Sequence, residues 1–135
     1  MSAGRIASPT DIAISGMRAQ AMRMNTITTN IANAHTTRTS EGGPYRRKEV
    51  VLSTGGEGLT GVQVSDVQPD LTTGFKRVHE PGHPDADKAG YVNMPNVNLP
   101  QEMMHMMAAS RAYEANAAVL KRHKEIMQVT LEMLR

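Results

Sequence analysis

The apolar positions of this chain form two long periodic runs, one towards each end, with a shorter alternating region between them. The later run is the longer. From Gln101 to Arg135 it contains no Gly or Pro and is rich in Ala, Met, Leu, Glu and Lys, all good helix formers. Pro100 suits the start of a helix and Glu102 puts a negative charge in its first turn. One stripe reads Met106, Ser110, Tyr113, Ala117, Leu120, Lys124, Met127, Leu131 and Leu134, in alternating steps of four and three that match heptad spacing. A second reads Ala108, Ala112, Ala115, Val119, Arg122, Ile126, Val129 and Met133. It is rotated from the first by about 200° on a helix of 3.6 residues per turn. A helix that is apolar on two faces has to be surrounded. A chain of 135 residues is too short to surround a helix of roughly 50 Å. The pattern therefore predicts packing that is completed by other subunits, with Val119, Ile126 and Met133 facing a neighbour.

The earlier run predicts a second helix. Met1 to Ser8 reads as a mobile tail, and Pro9, Thr10 and Asp11 then supply helix-start chemistry. Ile14, Met17, Ala21, Met24, Thr28 and Ile31 repeat with three-four spacing up to an end near Asn33 or Ala34. Thr or Asn fills six of the nine positions from Asn25 to Asn33, a poor composition for an isolated helix. This helix should depend on packing. Its period matches that of the terminal helix, so the two are expected to pair as a coiled coil; packing on separate surfaces is the alternative.

Between them, Glu41-Gly42-Gly43-Pro44 punctuates a loop. Tyr45–Ser53, a stretch around Val62, Val64 and Val67, and Phe75–Val78 read as strands, with a short pairing at Tyr91 and Val92. The Gly-rich Thr54–Gly61 reads as a turn. The expected fold is mainly α with a small β-rich centre. Residues 1–34 and 100–135 form a paired terminal-helix domain, and residues 35–99 form an extended central segment.

Composition narrows the function. There are 11 Met, three Tyr, one Phe and no Trp, and flexible Met suits surfaces finished by partners. A net charge of +2 gives no strong pull towards nucleic acid. There is no Cys, hence no disulfide or thiolate chemistry. The first residues lack the apolar run of a secretory signal peptide, and no stretch approaches the length of a membrane span.

Candidate chemistry is sparse. His79-Glu80-Pro81-Gly82-His83 spells H-E-x-x-H, but that motif binds zinc by placing both His on one helix face. Pro81, Gly82 and Pro84 oppose a helix there, so no metal is expected even with Asp85 and Asp87 nearby. Arg46-Arg47-Lys48 and Lys121-Arg122-His123-Lys124 are basic clusters without aromatics for stacking bases. The first is expected on a strand, paired with acids of a neighbour. No nucleophile elbow or phosphate cradle is visible. The residues support no enzyme, no cofactor and no small-molecule substrate.

Two signatures remain. Ser15 to Ala34 reads S-G-M-R-A-Q-A-M-R-M-N-T-I-T-T-N-I-A-N-A, ending in the N-x-A-N of Asn30 and Asn33. Ala109 to Asn116 reads A-S-R-A-Y-E-A-N, with Tyr113 and Asn116. Both resemble the terminal signatures of the bacterial flagellar rod and hook proteins. The middle is more discriminating. Gly43 to Val50, with Pro44, Tyr45, Arg46 and Arg47, and Pro81 to Asn98, with Gly82, His83, Pro84 and Asp85, resemble a proximal rod protein of that family. Another rod or hook subunit, and a soluble helical adaptor, are the rival readings. Two stretches depart from the family pattern: the loop around 54–59 is short, and Lys121-Arg122-His123 is more bulky and basic.

The resemblance implies a structural subunit that leaves the cytoplasm through the flagellar type III export apparatus without a cleaved signal peptide. It implies assembly with copies of itself and other rod subunits in a basal-body rod that crosses the periplasm, without direct membrane insertion. Subunit packing is then expected through Ile14, Met17, Ala21, Met24 and Ile31 of the first helix. On the terminal helix it is expected through Met106, Tyr113, Ala117, Leu120, Met127 and Leu131, and through the second stripe.

Overall fold

The computed structural model describes residues 7–55 and 61–134. Two helices flank two small antiparallel hairpins, in the order α1, β1 to β4, α2. Helix α1 spans Pro9–Ala32. Ser8 belongs to its start and not to a tail: its hydroxyl accepts from Asp11 N–H at 3.2 Å, and Asp11 Oδ2 accepts from Ser8 N–H at 3.2 Å. This reciprocal pair satisfies two of the otherwise unpaired donors at a helix start. The rest of the expected tail, residues 1–6, lies outside the described residues. Thr26, Thr28 and Thr29 return their hydroxyls to carbonyls four residues earlier, so these side chains find their partners within the helix and do not compete for its N–H groups.

Helix α2 spans Leu99–Met133, capped by Asn98, whose side chain accepts from Gln101 N–H at 3.3 Å. The helices run antiparallel. Thr10 Oγ1 meets His123 Nδ1 at 3.2 Å at one end of the seam, and Asn30 meets Glu102 at the other. In the middle, Gly16 lies so close to α2 that a Cβ there would stand 2.8 Å from Asn116 Nδ2. Ala13, Ile27 and Ala109 are buried along this seam, and Ala19 is buried on the hairpin side of α1. Opposite His123, α1 stops. Among the described residues, nothing covers the last ten residues of α2, roughly 15 Å at 1.5 Å per residue.

Strands β1 (Lys48–Thr54) and β2 (Val62–Pro69) pair with a bulge: Val51 faces Asp66 and Leu52 faces Val64. The extra residue, Ser65, donates its hydroxyl to Val51 O at 3.0 Å, and such an insertion bends the strand locally. The hairpin docks on α1 through Ser15, whose hydroxyl accepts from Val62 N–H at 3.0 Å. Gly61 makes that approach possible. Its φ is +90°, and a Cβ would lie 2.3 Å from Ser15 Oγ, so both its backbone angle and its lack of side chain are used. Most of the expected turn before it, residues 56–60, lies outside the described residues. Strands β3 (Lys76–His79) and β4 (Tyr91–Met94) form the second hairpin. Tyr45, expected in β1, precedes it, because its N–H bonds to Thr36 O and its ring is buried.

Candidate functional site

Two features stand out. One is the outward face of α2; the other is a buried polar knot that holds α2 against the rest of the chain.

Within the single chain, α2 is covered on one side only. Ala109 is buried, and Met106, Ser110, Tyr113, Asn116, Ala117, Leu120 and His123 are half-buried against α1 and its surroundings. On α1, Ile14, Met17, Ala21, Met24 and Ile31 are half-buried. The second stripe is open to solvent: Val119 is 50% exposed and Ile126 63%, and Val129 and Met133 are also exposed. Beyond His123 the first stripe is open as well, with Met127 at 51% and Leu131 at 63%. Met104 extends the second stripe towards the helix start, and Met103 and Met107 are exposed beside it. Such a run on one helix exceeds the scattered apolar residues normal on a monomer surface.

The knot is built where α1, β1 and the start of α2 meet. The Asn30 amide uses all four of its hydrogen-bonding positions. Its Nδ2 donates to Lys48 O at 2.9 Å and Glu102 Oε2 at 3.0 Å, and its Oδ1 accepts from the Tyr45 hydroxyl and Lys48 N–H, both at 2.9 Å. Glu102 is fully buried and its Oε1 accepts from Arg47 Nε at 2.6 Å. Arg47 also pairs with Glu49 and lies 3.7 Å from Asp70 Oδ2. Asn96 completes the knot: Oδ1 accepts from Arg47 N–H at 2.7 Å, and Nδ2 donates to Asp70 O and Thr73 O. Arg47 thus finds its acids inside the chain, not on a neighbour. Arg46 donates to Asp70 O at 3.0 Å and lies 4.3 Å over the Phe75 ring.

Charge is balanced by these contacts. Burial alone would lower the Arg47 pKa, but hydrogen bonds to Glu49 and Glu102 outweigh it and hold the guanidinium above its usual value. Burial, helped by the Glu102 charge, raises the Tyr45 phenol. Hydrogen bonds from Thr72 and Thr73 hold Asp70 well below the usual carboxylate range. Asn96, Asp70 and the structural use of Glu102 were not anticipated from sequence.

The remaining motif residues brace the second hairpin. Asn33 Nδ2 donates to Thr29 O. Asp85 accepts from the Thr37 hydroxyl at 2.8 Å and lies 3.5 Å from Arg38. His83 Nδ1 accepts from Asp85 N–H, while Pro44 is half-buried and Gly82 and Pro84 are exposed. His79 lies on β3 with its ring 4.8 Å from that of Tyr91. The two histidines therefore sit on a strand and in a turn, not on one helix face. Tyr91 N–H and Arg77 bond to Asp87 and lower its pKa. Among the described residues, no group of three or more His, Asp or Glu is placed to hold a metal ion, and no helix is long and apolar enough to cross a membrane.

One flaw lies in the seam. Gln20 Oε1 is buried with no hydrogen-bond partner among the described residues. An unmet buried acceptor costs about 1–3 kcal/mol. Gln20→Leu is accordingly expected to raise the urea midpoint of the purified chain, by about 1 kcal/mol in stability; an unchanged or lower midpoint would show that the amide is satisfied in solution.

Comparison with known proteins bears on both ends of this chain and on its middle. The family described as "Flagella basal body rod protein" matches residues 11–38, and "Flagellar basal body rod FlgEFG protein C-terminal" matches residues 88–133. The chain is similar over most of its length to proteins named flagellar basal-body rod protein FlgC. That of Escherichia coli O6:H1 is 44% identical, the alignment covering 91% of this chain and 93% of the relative. That of Salmonella typhimurium is 43% identical over the same shares. That of Borreliella burgdorferi is 38% identical, over 94% of this chain and 96% of the relative. With this identity over more than nine-tenths of its length, the chain belongs to the FlgC family of flagellar basal-body rod proteins.

Proposed function

We propose that this chain is a structural subunit of the proximal flagellar rod and performs no catalysis. Residues 1–34 and 100–135 act as the packing unit, with α1 and α2 engaged as a coiled coil, and residues 35–99 form a central extended and β-rich segment. Subunits stand side by side through their helices, against copies of the chain and against other rod subunits, and torque passes through these contacts. The subunit reaches the rod, which crosses the periplasm, through the type III export apparatus and without a cleaved signal peptide. It takes no cofactor, nucleic acid or small-molecule substrate, and it does not insert in the membrane.

The observation that carries this reading is the exposed apolar face of α2, which continues past the end of α1. Burying a Val or Ile side chain is worth roughly 1.5–3 kcal/mol, and a second subunit supplies that burial. The chain has no native Cys, so Ile126→Cys gives a clean reporter. In purified basal bodies it is expected to cross-link with a cysteine-reactive bifunctional reagent into species larger than one subunit. Only monomeric product from incorporated protein would overturn the side-by-side arrangement.

A further inference from the structure

Apart from its polar pairs, the seam between α1 and α2 carries little information about register. Most of its apolar residues are Ala and Met: Ala13 and Ala109 are buried and Met17, Met24, Met106, Ala21 and Ala117 are half-buried, with Ile27, Tyr113 and Leu120 as the larger exceptions. Alanine faces are alike from one heptad to the next, and Met adapts its shape to what it meets. A slip of seven residues keeps the same faces together. It would set Ala109, in place of Glu102, opposite Asn30.

The polar knot does distinguish registers. We propose that Asn30, Glu102 and Arg47 form the register key of the helix pair. Asn96 ties the residues just before α2 to Arg47 N–H and to the carbonyls of Asp70 and Thr73, partners that all lie in the central segment and none on α1. Glu102, six residues later, is held between Asn30 of α1 and Arg47 at the start of β1, which fixes how α2 is turned and which turn of α1 it meets. No single partner can be exchanged, because the Asn30 amide is fully used and faces both α2 and β1. Any slip leaves a buried carboxylate and a buried amide unpaired. A buried ion pair adds little net stability compared with apolar groups of the same size, but breaking one is costly. The knot therefore acts mainly through the registers it forbids. Thr10 with His123, and Gly16 with Asn116, mark the same register further along the seam.

The test replaces the knot with apolar residues of similar volume, Asn30→Leu, Tyr45→Phe, Arg47→Met and Glu102→Leu together, in the full chain. Three two-cysteine reporters are compared in this background and in the parent. Thr10→Cys with His123→Cys closes only in the native register. Thr10→Cys with Asn116→Cys, and Thr10→Cys with Thr130→Cys, close after a slip of one heptad in either direction. The parent is expected to form the first disulfide almost exclusively. The apolar variant should keep its helical circular dichroism and its thermal midpoint, while the ratio of shifted to native disulfide rises by about a hundredfold, the loss expected when a forbidden buried charge is no longer at stake. An apolar variant that retains the native disulfide alone would overturn the proposal. So would one that loses its helix, since the knot would then be a source of stability and not of register.

Discussion

Arg47→Met is expected to destabilise the purified chain by about 3–5 kcal/mol, the usual result of removing one partner from a buried ion pair. The cost arises at Glu102. With Arg47 gone, this fully buried carboxylate keeps only Asn30 as a close donor; His105 Nδ1, at 3.9 Å, is too distant to replace a guanidinium at 2.6 Å. The accompanying double variant, Arg47→Met with Glu102→Leu, should recover most of the loss, because no charge is then stranded. Urea unfolding followed by circular dichroism measures both. Equal destabilisation by the single and double variants would mean that Arg47 acts through Glu49 or Asp70 instead.

The second large effect concerns assembly. Val119→Asp or Ile126→Asp should permit synthesis and export but block stable incorporation into the rod. Both residues are at least half exposed in the single chain, so a carboxylate there is solvated in the free subunit. Packed against a neighbour, it would be buried without a partner, at a cost of several kcal/mol per subunit. Gln128→Asp, on an exposed position outside the stripe, is the control, since surface changes usually stay within about 0.5 kcal/mol. Subunit content of purified basal bodies and swimming are the readouts. Normal incorporation of both stripe variants would show that this face stays in water.

The helices were legible because period is a local property. Heptad spacing placed both helices, and the presence of two apolar stripes on α2 identified one that the chain leaves open, as Val119 and Ile126 are. The strands were found within a few residues, but Tyr45 was misplaced because its hydroxyl and N–H are drawn out of the strand by Asn30 and Thr36. The knot left no periodic trace. Asn30 meets partners 15, 18 and 72 residues away, and Glu102 looked like an ordinary charge complementing a helix start. The basic run before β1 was the one usable hint: Arg47 pairs with nearby Glu49 but also with Glu102, 55 residues later in the same chain, and not with a neighbour.

The antiparallel seam also governs when the molecule can take shape. Thr10 faces His123, 113 residues later, and Asn30 must wait for Glu102. Contacts of such long sequence separation form only after the loop between them can close. On the proposed export route, neither helix has its partner while the other is still inside the passage. Topology of this kind acts as a clock, and it starts when the first turns of α2, with Glu102, come free.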